Sequence, residues 1–168
     1  MNIIIRDERE ADIPAITDVT AATFLHAEHA SHTEQFVVTA LRNAGVLTVS
    51  KVAESYGKVI GHVAVSPVEI SDGSERWFGL GPISVLPEYQ KQGVGSKLMH
   101  AALDALRQKN AQGCVLLGDP NYYHRFGFAA DSRLVLPDVP PEYFQALLMA
   151  GDFPVGVVTY HDGFNAVS

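Results

Sequence analysis

The chain has one cysteine, Cys114, in 168 residues. A lone thiol closes no internal disulfide, so the fold must hold without cross-links, which agrees with a reducing compartment. Cations are scarce as well: 12 Lys and Arg stand against 19 Asp and Glu, a net charge of −7. That balance argues against a broad nucleic-acid surface, which needs Lys and Arg clustered opposite phosphates. No apolar run approaches the roughly 18 residues of a membrane span. The opening "MNIIIRDEREAD" is too brief in its apolar part, and too acidic after it, to read as a signal peptide. The expectation is a cytoplasmic protein without nucleic-acid or membrane partners. Repeats, low-complexity tracts and linkers are also missing. With 47% hydrophobic and 18% charged residues, residues 1–168 read as one globular domain.

What is present is an alternation of periods. "NIII" reads as a short buried strand. A helix follows, with Asp12 as its N-cap and Pro14 in the first turn, where a missing N–H costs nothing. A second helix is expected over about Thr33 to Asn43, with Phe36, Val37, Ala40 and Leu41 facing inward and Gly45 as its stop. "VLTVSKVA", "KVIGHVAVSPVEI" and "RWFGLGPISV" are then three β-rich runs separated by short polar turns, which predicts an antiparallel meander. Gly79, Gly81 and Pro82 are poor ladder residues, so the third run should be bulged or splayed. Leu98, Ala101, Ala102, Ala105 and Leu106 mark an amphipathic helix, and "GCVLLG" a buried strand after it. Strand, helix and strand there form a crossover, expected to be parallel and right-handed. "PNYYHRF" reads as a short helix stopped by Gly127. The tail reads as strand, a helix from about Pro141 to Met149, and the strand "VGVVTY". The fold class is mixed α/β, with a mostly antiparallel central sheet.

Two glycines, Gly93 and Gly95, stand at the mouth of the long helix in "PEYQKQGVGSKLMHAALDAL". A helix N-terminus offers main-chain N–H groups without internal partners and about half a positive charge, and glycine lets an anion come close. A tight turn would need the same glycines. Two familiar phosphate loops do not fit: serine precedes lysine in "GVGSK", and Leu98 occupies the third small position of a dinucleotide fingerprint.

"QKQGVG" does match the pattern of Gln or Arg, two residues, Gly, one residue, Gly or Ala, set between a strand and a helix. The chain resembles the GNAT superfamily of N-acetyltransferases over nearly its whole length. It is closest to a bacterial subfamily carrying "GDP", "YY" and "RFGF", here Gly118 to Phe128. The resemblance implies acetyl-CoA as co-substrate. It places the pyrophosphate on the N–H groups of Gln92, Gly93, Val94, Gly95 and Ser96, with Gln90 and Lys91 flanking the loop. It runs the pantetheine arm along Ile83, Ser84 and Val85, with an oxyanion donor near Ile83. Tyr123 is then the general-acid candidate, and a homodimer is a common state in the family.

No general base follows from the residues. "WFGLGPISV" contains no acid. His62 shares a strand face with Ala64 and Ser66 and reads as one member of a satisfied polar pair, although a relay through water is the other reading. Glu34, Glu69 and Glu75 are weaker candidates still. No metal is expected: His26, His29 and His32, near Glu28, would diverge by about 120° across a helix. Cys114 opens an apolar run and reads as a small hydrophobe rather than a nucleophile. Arg125 and Lys97 are either phosphate contacts or exposed. The expected reaction is direct acetyl transfer from acetyl-CoA to a primary amine of a small molecule or protein. The loops around Phe24 to Thr33 and Ser132 to Asp138 would shape the acceptor site, and the acidic balance leans toward a polyamine, an aminoglycoside or a lysine side chain. A non-catalytic acyl-CoA-binding regulatory module is the alternative.

Overall fold

Period-two alternation through the middle of the chain builds the sheet. The computed structural model describes residues 2–27 and 30–168, so Glu28 and His29 lie outside the described residues. The three predicted β runs are β2 (Val49–Ser55), β3 (Lys58–Ile70) and β4 (Trp77–Val85), joined as an antiparallel meander; β1 (Ile4–Asp7) pairs antiparallel with β2. Two helices, α1 (Ile13–Phe24) and α2 (Glu34–Asn43), come between β1 and β2. After β4 come α3 (Val94–Gln108) and β5 (Gly113–Leu117), and β4 and β5 are parallel as the crossover predicts. The short α4 (Pro120–Tyr123) continues as a 3₁₀ turn to Phe126. Three strands end the fold: β6 (Leu134–Val135), β7 (Phe144–Leu148) and β8 (Gly156–Tyr160). The sheet runs β1-β2-β3-β4-β5-β7, while β8 joins the far end of β3 and carries β6.

The alternation along β3 decides which helix covers which face. Val63 and Val65 pack with Leu98, Met99, Ala102 and Leu106 of α3. Ala64, pointing the other way, packs with Ile16 of α1 and Val38 of α2. Burial on α3 centres on Leu98, Met99, Leu103 and Leu106, so Ala101 and Ala105 flank the buried stripe rather than fill it.

Three expectations are corrected. Residues from Pro141 to Met149 are not a helix: a 3₁₀ turn, Pro141–Tyr143, leads into β7, which pairs antiparallel with β5. Phe144, Leu147 and Leu148 have helical spacing, but a short run buried on both sides has no decisive period, and the open edge of β5 takes it as a strand. The first strand is an edge strand starting at Ile4, whose side chain is 46% exposed, not a buried one. Asp12 does stand at the N-cap position of α1, but its side chain makes no cap hydrogen bond to that helix. It ends a 3₁₀ turn and accepts hydrogen bonds from Arg6 (2.7 and 3.0 Å) and from the Arg9 N–H (2.7 Å). The Arg6 hydrogen bond comes first among the causes that hold its carboxyl down at about 2.

Candidate active site

A bulge opens the sheet. Val63 faces Ile83 and Val65 faces Leu80, so one residue of β3 spans Gly81 and Pro82 together. On its other side β4 keeps β5 only through Trp77, Phe78 and Gly79. Beyond Gly79 the two strands part, and β5 is held instead by β7. The Leu86 N–H donates to the Ile60 carbonyl (2.9 Å), which fixes the antiparallel alternation there. The His62/Ser84 pair is therefore hydrogen-bonded, and the main-chain groups of Ile83 and Val85 turn away from β3 into the gap. The Val85 carbonyl indeed accepts from Thr23 Oγ1 (3.1 Å) and Gln90 Nε2 (2.9 Å).

The glycine turn lies at the mouth of this gap. Gly93, at φ +85°, adopts the left-handed conformation that ends the loop and starts α3. The Lys97 N–H donates to the Gly93 carbonyl (3.1 Å), the first amide of α3 to find a main-chain partner. The amides of Val94, Gly95 and Ser96 are thus the ones left for an anion. A cleft of about 620 Å³ is lined here by Ile83, Val85, Gln90, Lys91, Gly93, Gly95 and Ser96 from one side, and by Tyr122, Tyr123 and Arg125 from the other. Arg125 stacks on Tyr122, with its guanidinium carbon 4.5 Å from the ring centre. Lys91 and Arg125 make this cleft cationic within an acidic protein. Three residues of the expected contact set send no side chain into it. The Ser84 side chain points into the opposite face and is buried, the Val94 side chain is in the core, and Gln92 turns back to donate to the Glu88 carbonyl (3.3 Å).

Tyr123 reaches the cleft because the turn before it leaves room. Asp119 caps α4 by accepting from the Asn121 N–H (2.9 Å), and Gln145 of β7 donates to the Gly118 carbonyl (3.0 Å). A Cβ on Gly118 would overlap the Tyr123 ring. Burial, with Tyr122 and Asp119 adding to it, pushes the Tyr123 phenol up to about 12. A second cleft of about 510 Å³ begins where the first ends, and Ile83 and Tyr123 line both. Phe24, Ser31, Leu136 and Pro137 reach this second cleft from the two loops expected to meet there. Glu34, Tyr160 and Phe164 join them. Glu34 is named in the sequence only as a weak base candidate, and nothing local there places these three side by side, because they arrive through packing between distant elements. Cys114 is wholly buried, and burial pushes its thiol up, away from the reactive thiolate.

His62 pairs with Ser50 through one ring nitrogen only, so the polar pair expected here is half satisfied. Glu8 accepts from Arg42 (2.8 and 3.0 Å) and from the Ser50 hydroxyl. Burial works to raise the Glu8 carboxyl, but the bonds from Arg42 and Ser50 outweigh it and hold the group below its usual range. Since Ser50 gives its proton to Glu8, its oxygen accepts from His62 Nε2 (2.7 Å), which leaves His62 Nδ1 as a bare acceptor. Nδ1 is buried without a partner among the described residues, as is Oγ of Ser84 across the strand pair. Burial keeps His62 neutral, down at about 4 against an ordinary 6.5. As pH falls from 6.5 toward 4, the unfolded chain takes up a proton that the folded one refuses, so stability is lost over that window and no further below it. Denaturant unfolding at pH 7 and pH 5 should show a loss of about 2 kcal/mol from this group, missing in His62→Gln. An unchanged loss in the variant would assign the acid sensitivity elsewhere.

An opened strand pair, a glycine turn starting a helix at its mouth and a phenol across from it are the parts that the resemblance implies. Residues 13–128 match the Acetyltransferase (GNAT) family. The uncharacterized N-acetyltransferase YhbS of Escherichia coli K12 is 35% identical over 97% of this chain and 99% of its own. A GNAT family acetyltransferase from Brucella melitensis, solved in complex with acetyl-CoA, has a TM-score of 0.87 at 45% identity over 97% of this chain and 98% of that one. The structure of Escherichia coli YhbS in complex with CoA also has a TM-score of 0.87, at 33% identity over 100% of this chain and 94% of that one. The chain belongs to the GNAT family of acetyltransferases. No helix among the described residues is long and apolar enough to cross a membrane.

Proposed function

We propose that this enzyme takes acetyl from acetyl-CoA and passes it directly to a primary amine, with Tyr123 as the proton donor to the departing sulfur. The observation that carries the reading is the junction of two clefts at Ile83 and Tyr123, one cationic and glycine-edged, the other nearly free of charge. The pyrophosphate sits on the amides of Val94, Gly95 and Ser96, with Lys91 and Arg125 beside it. The pantetheine amides pair with the Ile83 carbonyl and the Val85 N–H, as a further strand would, the Val85 carbonyl being held by Thr23 and Gln90. The acceptor enters from the second cleft and loses its ammonium proton to solvent. The free amine then attacks the thioester carbon, and the carbonyl oxygen takes the negative charge against the Ile83 N–H. Collapse breaks the C–S bond, the thiolate takes the Tyr123 proton, and the nitrogen gives up a proton that restores the phenol. The products are the amide, free CoA thiol and one proton. A phenol held up at about 12 stays protonated at working pH, the state a proton donor needs.

Support also comes from the relatives crystallised with acetyl-CoA or CoA. The test combines calorimetric titration of acetyl-CoA with an amine-dependent assay for released thiol. Micromolar binding with amine-dependent thiol is the expected result. Binding without thiol release from any amine would favour an acyl-CoA-sensing module instead.

A further inference from the structure

Resting on the acetyl-transfer reading, the geometry points to an acceptor with one ammonium group on an apolar body, an alkyl- or arylalkylamine, held by Glu34 in the second cleft. Phe24, Val37, Leu80, Leu116, Leu136 and Phe164 give that cleft apolar walls. Among its described lining residues Glu34 is the one that bears a full charge. Its two carboxylate oxygens differ. Oε2 accepts from the Ser31 N–H (3.0 Å) and the Ser31 hydroxyl (3.1 Å), which fixes the orientation of the group. Oε1 is buried and has no hydrogen-bond partner among the described residues. A carboxylate oxygen withdrawn from water without a donor is costly to keep, and an ammonium is the donor that offsets the cost best. Tyr160 Oη, on the same cleft, is likewise buried and unpartnered. It offers a neutral hydrogen bond to a hydroxyl or ether on the ligand.

The same wall composition discriminates. A polyamine or aminoglycoside would bring several cations to one carboxylate and desolvate the rest against Phe and Leu side chains. A free amino acid would bury its own carboxylate with no Lys, Arg or His among the described lining residues to meet it. A cleft of about 510 Å³ suits a small molecule, with apolar walls and few polar anchors. The polyamine and aminoglycoside that net charge alone suggests are thereby set aside, and the size of the cleft favours a free monoamine over a lysine side chain carried on a protein.

The experiment measures thiol release at saturating acetyl-CoA from 2-phenylethylamine, spermidine, free leucine and a capped lysine peptide, using the unaltered enzyme and Glu34→Gln. The expected result is a kcat/KM for 2-phenylethylamine at least about tenfold above the others. Glu34→Gln, which keeps the shape and an oxygen for Ser31, should lower that value about thirtyfold or more, leave the KM for acetyl-CoA unchanged and not lower the melting temperature. Preference for spermidine, leucine or the peptide would overturn the acceptor assignment alone, as would an indifferent Glu34→Gln. Acetyl-CoA binding with no thiol from any amine would overturn the acetyl-transfer reading along with it.

Discussion

Tyr123→Phe should lower kcat by about a hundredfold or more while acetyl-CoA binding measured by calorimetry stays within about twofold, the usual scale for losing a positioned general acid. The asymmetry follows from what the substitution keeps. The ring packs against Tyr122 with centroids 4.9 Å apart and against Phe126 at 6.4 Å, and Phe at 123 preserves both contacts. Only the hydroxyl is lost, from a residue that lines both clefts, where the proposed transfer would release the sulfur. Because burial lifts this phenol to about 12, the unaltered enzyme should show no alkaline loss of kcat from Tyr123 until the pH approaches that value. A Phe variant turning over within twofold of the parent would end the assignment.

How far the sequence discloses such a site depends on how local its parts are. The glycine loop and α3 are legible because their signals are contiguous: two glycines, a proline before them and an apolar stripe after. The gap beside β4 is legible for a similar reason, since Gly79, Gly81 and Pro82 are residues that a regular central strand would exclude. Ser84 shows where contiguity misleads. A strand turns alternate residues to opposite faces, so Ile83 and Val85 meet the cleft while Ser84 lies behind them. The C-terminal helix fails because Phe144, Leu147 and Leu148 fit a helical period, and only the vacancy beside β5 makes the segment a strand. Glu8, Ser50 and His62 come together through strand register, and Glu34, Tyr160 and Phe164 through tertiary packing. Neither kind of convergence has a spacing in the chain.

The two glycines, which look alike in the sequence, should separate under substitution. Gly95 lies within α3 in ordinary helical geometry, and a Cβ there would sit 3.4 Å from Tyr122 Oη and 4.0 Å from Val85 Cγ2. A leucine at 95 therefore needs no backbone strain, yet its outer carbons extend between Tyr122 and Val85, across the cleft that the pyrophosphate and pantetheine would share. Gly95→Leu should weaken acetyl-CoA binding by about a hundredfold or more, roughly 2.7 kcal/mol, and move the melting temperature little. Gly93 is the reverse case. Its φ of +85° disfavours any side chain, but a Cβ there meets nothing within 4 Å. Gly93→Ala should then cost about 1 kcal/mol of stability and only a few-fold in binding. Calorimetry and thermal unfolding on the two variants distinguish close approach from turn geometry. If Gly95→Leu bound acetyl-CoA as tightly as the parent, the donor would have to lie outside this cleft, and the roles given to Lys91, Arg125 and the α3 amides would fall together.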